Sequence, residues 1–159
     1  MRIFRNVYTR DAAYSFIDVT AHIVGPTGSS PLAYGAGAAD EGISVEMAGD
    51  KNTMTIGADG TVMQSLHADK SGRVTVRLLK TSPANAALQI MYDAQSISAA
   101  LWGQNTIVIQ QKAAGDITTC RQVAFKRNPQ NQYQKEAGIV EWEFDAGMID
   151  TIRGTYPSS

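Results

Sequence analysis

Cysteine and histidine are scarce in this chain: Cys120 is the single cysteine, and His22 and His67 are the two histidines among 159 residues. A lone cysteine excludes an internal disulfide framework and fits a reducing compartment. Neither histidine has a second His or Cys at ligand spacing, which argues against zinc. An excess of charge of one sign is also missing. Fourteen Lys and Arg against 15 Asp and Glu leave a formal net charge of −1, so no global basic field captures nucleic acid or anionic lipid. No apolar run approaches the roughly 18–20 residues that span a bilayer. The N-terminal MRIFRNVYTRD lacks an apolar h-region and a small-residue cleavage site, so it does not read as a signal peptide. There is no internal repeat and no low-complexity linker. These absences point to a soluble protein made in the cytoplasm.

What is present is a globular composition, 43% apolar and 18% charged with 14 Gly, enough for one domain with a single core. Residues 1–13 stand apart as an N-terminal arm, with Arg2, Arg5 and Arg10 among Ile3, Phe4, Val7 and Tyr8. Such a segment is either a frayed terminus or an arm that orders against a neighbouring subunit. Residues 14–159 read as the domain. Ser15–Val24 alternates as a strand, and the glycine- and proline-rich Gly25–Gly42 reads as a long loop. Ile43–Met47, Thr53–Ile56, Thr61–His67 and Arg73–Lys80 follow as four strands, predicted to form an antiparallel meander. Asp59-Gly60 supplies a tight turn in which both residues tolerate positive φ. Ser82 and Pro83 then start a helix over about 82–96, Ser82 as cap and Pro83 as first helical residue, with an apolar stripe of Ala84, Ala87, Leu88, Met91 and Tyr92. Asn105–Lys112, Asp116–Lys126 and Gly138–Met148 complete the strands, the last with Val140, Trp142, Phe144 and Ala146 inward and Glu141, Glu143 and Asp145 outward. The expected fold is mainly β, an antiparallel β-sandwich or barrel with one flanking α-helix.

No constellation for catalysis emerges. Tyr34–Asp40, YGAGAAD, has two of the glycines of a dinucleotide fingerprint but lacks the third and the strand–helix frame. His67-Ala68-Asp69 has no serine on an elbow beside it and reads as a surface turn. Cys120 lies mid-strand with no neighbouring histidine, a core or interface thiol. Glu141, Glu143 and Asp145 read as a solvated strand face. The scattered acids Asp40, Glu41, Glu46, Asp50 and Asp59 lack the dense alternation of a calcium loop. No cofactor and no metal is therefore expected, and the chain reads as a non-enzyme. Charge is instead blocked along the chain: basic at Arg2–Arg10, acidic at Asp40–Asp59, basic at Asp69–Lys80 and Arg121–Lys135, acidic at Glu136–Asp150. That pattern fits either an ordinary mixed surface or copies stacking head to tail.

The segments AYSFIDVTAHIVGP, LAYGAGAADEGISVEM, DKNTMTIGADGTVMQSLHADKSGRVTVRLLKTSP and EWEFDAGMIDTIRGT resemble the tail tube proteins of contractile-tailed phages and prophages. The similarity runs over about Ala13–Gly154 and is most specific in Asp50–Pro83. The arm Met1–Ala12 is longer than the family pattern. The resemblance implies a virion protein that forms hexameric rings, stacked into a tube inside a sheath. The tube's lumen would hold the tape measure protein and conduct genomic DNA without sequence-specific binding, with no membrane partner. Loops and arms that join rings would include Gly25–Gly42, Ala48–Asn52 and the N-terminal arm, with Phe4, Tyr8, Tyr34, Asp40, Glu41, Asp50 and Lys51 as candidate inter-subunit contacts. A lumen face should be polar or acidic, and the alternating polar positions of Ser44–Leu66 are candidates for it. A tail terminator or a baseplate tube initiator is the alternative within this class. A small β-barrel that binds a ligand in an apolar cavity is the alternative outside it.

Overall fold

Strand β9, Ile139–Ile152, is the longest element and pairs on both sides, with β6 (Gly72–Leu79) and with β8 (Asp116–Phe125). The computed structural model describes residues 18–34, 42–136 and 138–155. Within them, β1 (Val19–Gly25), β2 (Gly28–Tyr34), β3 (Ile43–Met47) and β7 (Asn105–Gln111) extend the same antiparallel sheet. The seven strands run in the order β2-β1-β7-β8-β9-β6-β3. Two further strands, β4 (Asn52–Ile56) and β5 (Val62–Leu66), pair only with each other. The chain is thus mainly β and antiparallel with one flanking helix, as its residue pattern predicts.

Alternation explains the sheet's two faces. In β6 Val74, Val76 and Leu78 are fully buried while Arg73 and Leu79 point out, and in β9 Trp142, Phe144 and Ala146 are buried opposite Glu141 and Asp145. The helix α1, Ala84–Gln95, lies on the inward side and buries Ala84, Leu88 and Met91. Beneath it an aromatic cluster runs from Tyr92 through Phe125 to Phe144 and Trp142, with neighbouring ring centroids 4.9–5.9 Å apart. The helix, these rings and aliphatic strand side chains, among them Ile23, Leu32, Val74 and Leu78, fill the interior.

The sheet must curl. Following the register from Tyr34 through Thr20, Gln110 and Ile117 reaches Ile152 on β9, whereas Ile43 lies level with Val76 and Trp142. On a flat sheet these two ends would stand about 30 Å apart across the strands and as much again along them. The link from Tyr34 to Ile43 reaches only about 30 Å when fully extended. Coiling of tilted strands is what reconciles the two. A bulge contributes: Gln122, at φ 55°, is skipped in both ladders of β8 and faces Gly147, and a bulge of this kind bends and twists its strand.

Several expectations need correction. Gly25–Gly42 is not wholly a loop, because Gly28–Tyr34 is strand β2, paired with β1 around a two-residue turn. Glycine and proline mask it in the sequence, and an edge strand tolerates both. The four strands Ile43–Lys80 do not form a meander. β3 pairs with β6, and the β4–β5 hairpin is nested between them. At the hairpin tip only Gly60 takes positive φ (87°). Gly60 N–H donates to Gly57 C=O and Gly57 N–H to Thr61 C=O, the pattern of a longer turn closed by one left-handed glycine. The helix begins at Ala84, with Pro83 at the cap position rather than inside; Ser82 Oγ does accept from Ala84 N–H, at 3.3 Å. Ala87 is half-buried, and Gln95, not assigned to the apolar stripe, is fully buried. Strand β1 is described from Val19, and the expected start at Ser15 lies outside the described residues.

Gln95 is buried because it has a partner of matching shape. Its amide and that of Asn105 exchange two hydrogen bonds of 2.8 Å, while Asn105 also donates to Val123 C=O and Gln95 to Thr27 Oγ1. This ring ties the end of α1 to β7, β8 and the β1–β2 turn. Asn105→Ala strands the Gln95 amide in the core and should lower the unfolding free energy by about 2–3 kcal/mol. The measurement is a urea midpoint shift at unchanged slope. Gln95→Leu combined with Asn105→Leu should cost less than the two single changes added together.

Candidate assembly surfaces

Past β3 and β6 the ribbon leaves the sheet and continues as a projecting arm. Ala48 N–H donates to Ser71 C=O and His67 N–H to Lys51 C=O, each at 2.9 Å, so the pairing carries across the junction. Gly72 permits the departure, because a Cβ there would collide with the Glu46 carbonyl and the Ile149 side chain. Lys70 holds the arm's root to β9, its carbonyl accepting from Ile149 N–H and its ammonium reaching Asp150 at 3.1 Å. Asp50 and Lys51, two of the predicted contact residues, sit exposed at this root.

The arm has two unlike faces. Directly paired residues share a face, which puts Met54, Ile56, Val62 and Leu66 together, with Asn52 and Gln64 bonded to each other at 2.7 Å among them. These four apolar side chains are 57, 60, 53 and 81% exposed. The opposite face carries Thr53, Thr55, Met63 and Ser65, with Thr53 Oγ1 2.6 Å from His67 Nε2. An apolar face this exposed on a hairpin outside the core makes it a candidate contact surface. Leucine and methionine in strands of alternating polarity suggest a core face in the sequence, so only the nested pairing reveals that nothing in the described chain covers them.

The sheet has two edges, β2 and β3, and among the described residues no strand pairs with the outer side of either. On β3, Val45 and Met47 share the inward face of the sheet yet are about 40% exposed because the sheet ends there. Tyr34 closes β2, its backbone paired with Thr20. Phe4, Tyr8, Asp40 and Glu41 lie outside the described residues, as do the N-terminal arm and most of the link to β3.

The face away from α1 matches its own charges. Arg77 lies 3.4 Å from Glu141, Arg127 2.8 Å from Glu143 and Arg121 3.5 Å from Asp150, while Arg73 stands between Glu46 and Asp145 in the ladder. The hydrogen bond and charge of Arg127 hold the Glu143 carboxyl below the usual range. These contacts are exposed pairs of modest energy. Their arrangement matters more, since it leaves the face with little net field.

No group of three metal-ligating side chains exists among the described residues. Burial pushes the Cys120 thiol up to about 11, so it is a poor nucleophile. A cavity of about 410 Å³ beside β9 is polar and includes the already paired Arg127 and Glu143. No helix among the described residues is long and apolar enough to cross a membrane.

Two carboxylates set the arm's turns. Asp59 accepts from Thr61 Oγ1 and N–H at the tip, and Asp69 from Ser71 N–H at the root, and these hydrogen bonds lower both pKa values from 3.8. A lowered carboxylate contributes order that is present above its ordinary value and lost as pH falls through the lowered one. In an NMR titration the Thr61 and Ser71 amides should therefore shift with a midpoint below pH 3.8. Asp59→Asn should abolish the Thr61 transition and leave that of Ser71.

Residues 11–154 match the model of a family described as the bacteriophage PhiTE tail tube protein. No curated protein matches the chain. Among solved structures the fold is similar to a chain of an extracellular contractile injection system, the PVC sheath–tube complex in the extended state. The TM-score is 0.54 at 11% identity, covering 84% of this chain and 88% of that one. It is also similar to the tube terminating cap of the anti-feeding prophage, with TM-score 0.52, 10% identity and coverage of 94% and 100%. A chain of the anti-feeding prophage baseplate gives 0.52 at 11% identity, covering 89% and 96%.

Proposed function

Because this chain belongs to the phage tail tube family, we propose that it is the repeating subunit of a contractile-tail tube. Six copies close a ring, rings stack inside a sheath, and the lumen holds the tape measure protein and then passes DNA. The observation that carries the reading is the projecting arm, whose apolar face has no cover in the described chain. A monomer gains nothing from such a hairpin. A stack of identical rings gives each arm a neighbour on which to bury it.

The charge-matched sheet face supports the conducting role. Each free cation on a lumen wall would hold a phosphate and slow transit. Here Arg77, Arg121 and Arg127 each have a carboxylate within 3.5 Å, so the face away from α1 suits a lumen better than the arm does. This moves the lumen assignment from Ser44–Leu66, where half the arm's alternating positions are apolar, to β6, β8 and β9. The protein works in this reading as a structural component of the virion tail, produced in the host cytoplasm, and the domain of residues 14–159 makes the wall while residues 1–13 reach a neighbour.

The likeness to a tube terminating cap favours one alternative, a ring that ends the stack. Electron microscopy of the purified protein separates the two. A tube subunit should form long tubes, and a terminator should form single rings. Ile56→Asp combined with Val62→Asp should leave the thermal midpoint of the unassembled protein unchanged and abolish stacking, because both positions lie outside the core. Tubes of normal length from that variant would overturn the arm's role. Deletion of Met1–Ala12 should impair stacking more than folding, read by the same images.

A further inference from the structure

We infer that Asp150 is a positioning residue for assembly: its carboxylate, shared between Lys70 and Arg121, sets the angle at which the β4–β5 arm leaves the sheet. The inference rests on the stacking reading above and adds the contact that holds each arm ready to meet its neighbour.

The ladder is interrupted where the arm begins. β3 and β6 pair as far as Met47 and Gly72, and β4 and β5 resume the pairing at Asn52 and Leu66. Four residues, 48–51, on one strand therefore stand against five, 67–71, on the other. Unequal lengths of this kind break the alignment of a ribbon and bend it. The two backbone hydrogen bonds across the gap, Ala48 N–H to Ser71 C=O and His67 N–H to Lys51 C=O, hold the strands to each other and not to the sheet. Nothing in the described chain lies within 4 Å of a Cβ placed on Gly49, and no residue from 48 to 70 is buried. Packing does not fix the arm's direction.

Against the sheet the root is fastened at one place. Ile149 N–H donates to Lys70 C=O at 2.9 Å, and the next residue, Asp150, receives the Lys70 ammonium on Oδ1 at 3.1 Å. Its Oδ2 lies 3.5 Å from Arg121 Nη1 on β8, so the carboxylate is itself oriented from the sheet side. Among the described residues no other side-chain bond joins residues 48–71 to the sheet. Asp69 acts within the root, through the Ser71 amide, and leaves the angle to the sheet open. The Lys70 and Asp150 side chains are 48 and 42% exposed, and one such pair shifts an equilibrium only several-fold. The ring multiplies the effect. If each arm is poised half as often, a ring that must dock six arms together binds about 60-fold more weakly. Arms held at one angle are pre-organised for that step.

Single-molecule FRET on the full-length protein, at subnanomolar concentration where subunits are separate, reads the arm's angle. Dyes on Ala58→Cys at the arm's tip and Lys112→Cys on the body report it, since both positions are exposed and Cys120 is buried and takes no label. With Lys70 and Asp150 in place the distribution should be single and narrow. Asp150→Asn and Lys70→Met should each broaden or shift it, and Lys70→Arg should keep it narrow. Lys70→Met combined with Asp150→Asn should add nothing to either single change. In the protein without dyes, Asp150→Asn should raise the concentration at which half the subunits sediment as tubes by about tenfold or more. The thermal midpoint of the unassembled protein should stay unchanged. A FRET distribution that either single change leaves as in the wild type overturns the contact. A broadened distribution with unaltered tube formation overturns its role in assembly. If the wild-type protein forms no tubes, the stacking reading fails and that role falls with it, while the FRET result still decides the contact.

Discussion

Register along β9 is the constraint on which the remaining structure depends. Trp142, Phe144, Ala146 and Ile149 must face α1 while Glu141, Glu143, Asp145 and Asp150 face outward, so a slip of one residue would bury four carboxylates. With β9 fixed, β6 and β8 are fixed beside it, and Gly72 falls where the ribbon turns away from the sheet. The outer charge pairs follow from the same alignment. Arg77 meets Glu141 because the strands are in that register, and Arg127 reaches Glu143 because Lys126 continues the ladder by donating to the Glu143 carbonyl. One alternation thus supplies both the core and the balanced outer face.

The core and the projecting arm are separated in space. The core lies between α1 and the concave side of the sheet, closed by the aromatic cluster and by the Gln95–Asn105 ring. The arm adds no buried side chain to it, and its turns are set locally by Asp59, Gly60 and Asp69. Such a hairpin, with only two strands and no layer behind it, is marginal when isolated. Its exposed apolar face is better explained by a partner than by the monomer. Ile56 and Val62 can therefore be changed without touching the residues that hold the core.

Sequence periodicity made β6, β7, β8 and β9 legible because each strand is buried on one face, and half-burial is what alternation records. The helix was legible from its apolar spacing and Ser82. Strand β2 was hidden because Pro31 and the glycine–serine composition mimic a loop, a composition that an edge strand can carry. The nested pairing of β3 with β6 was hidden for a different reason. Local turn signals identify hairpins, but the choice between a meander and a nested ribbon depends on long-range partners. The arm's apolar face was illegible on the same account: Met54, Ile56 and Val62 look like core residues until the pairing shows that no layer lies over them. The buried amides of Gln95 and Asn105 left no signal, since neither polar residue is remarkable until the other is placed against it.

The free edges place opposing demands on the subunit. An open sheet must resist random pairing before assembly and accept one partner during it. The chain meets the first demand with a short β3 bearing Glu46 and a β2 carrying Pro31, features that penalise like-with-like pairing. Those features are unequal on the two edges, since β3 carries Glu46 and β2 carries no charged side chain.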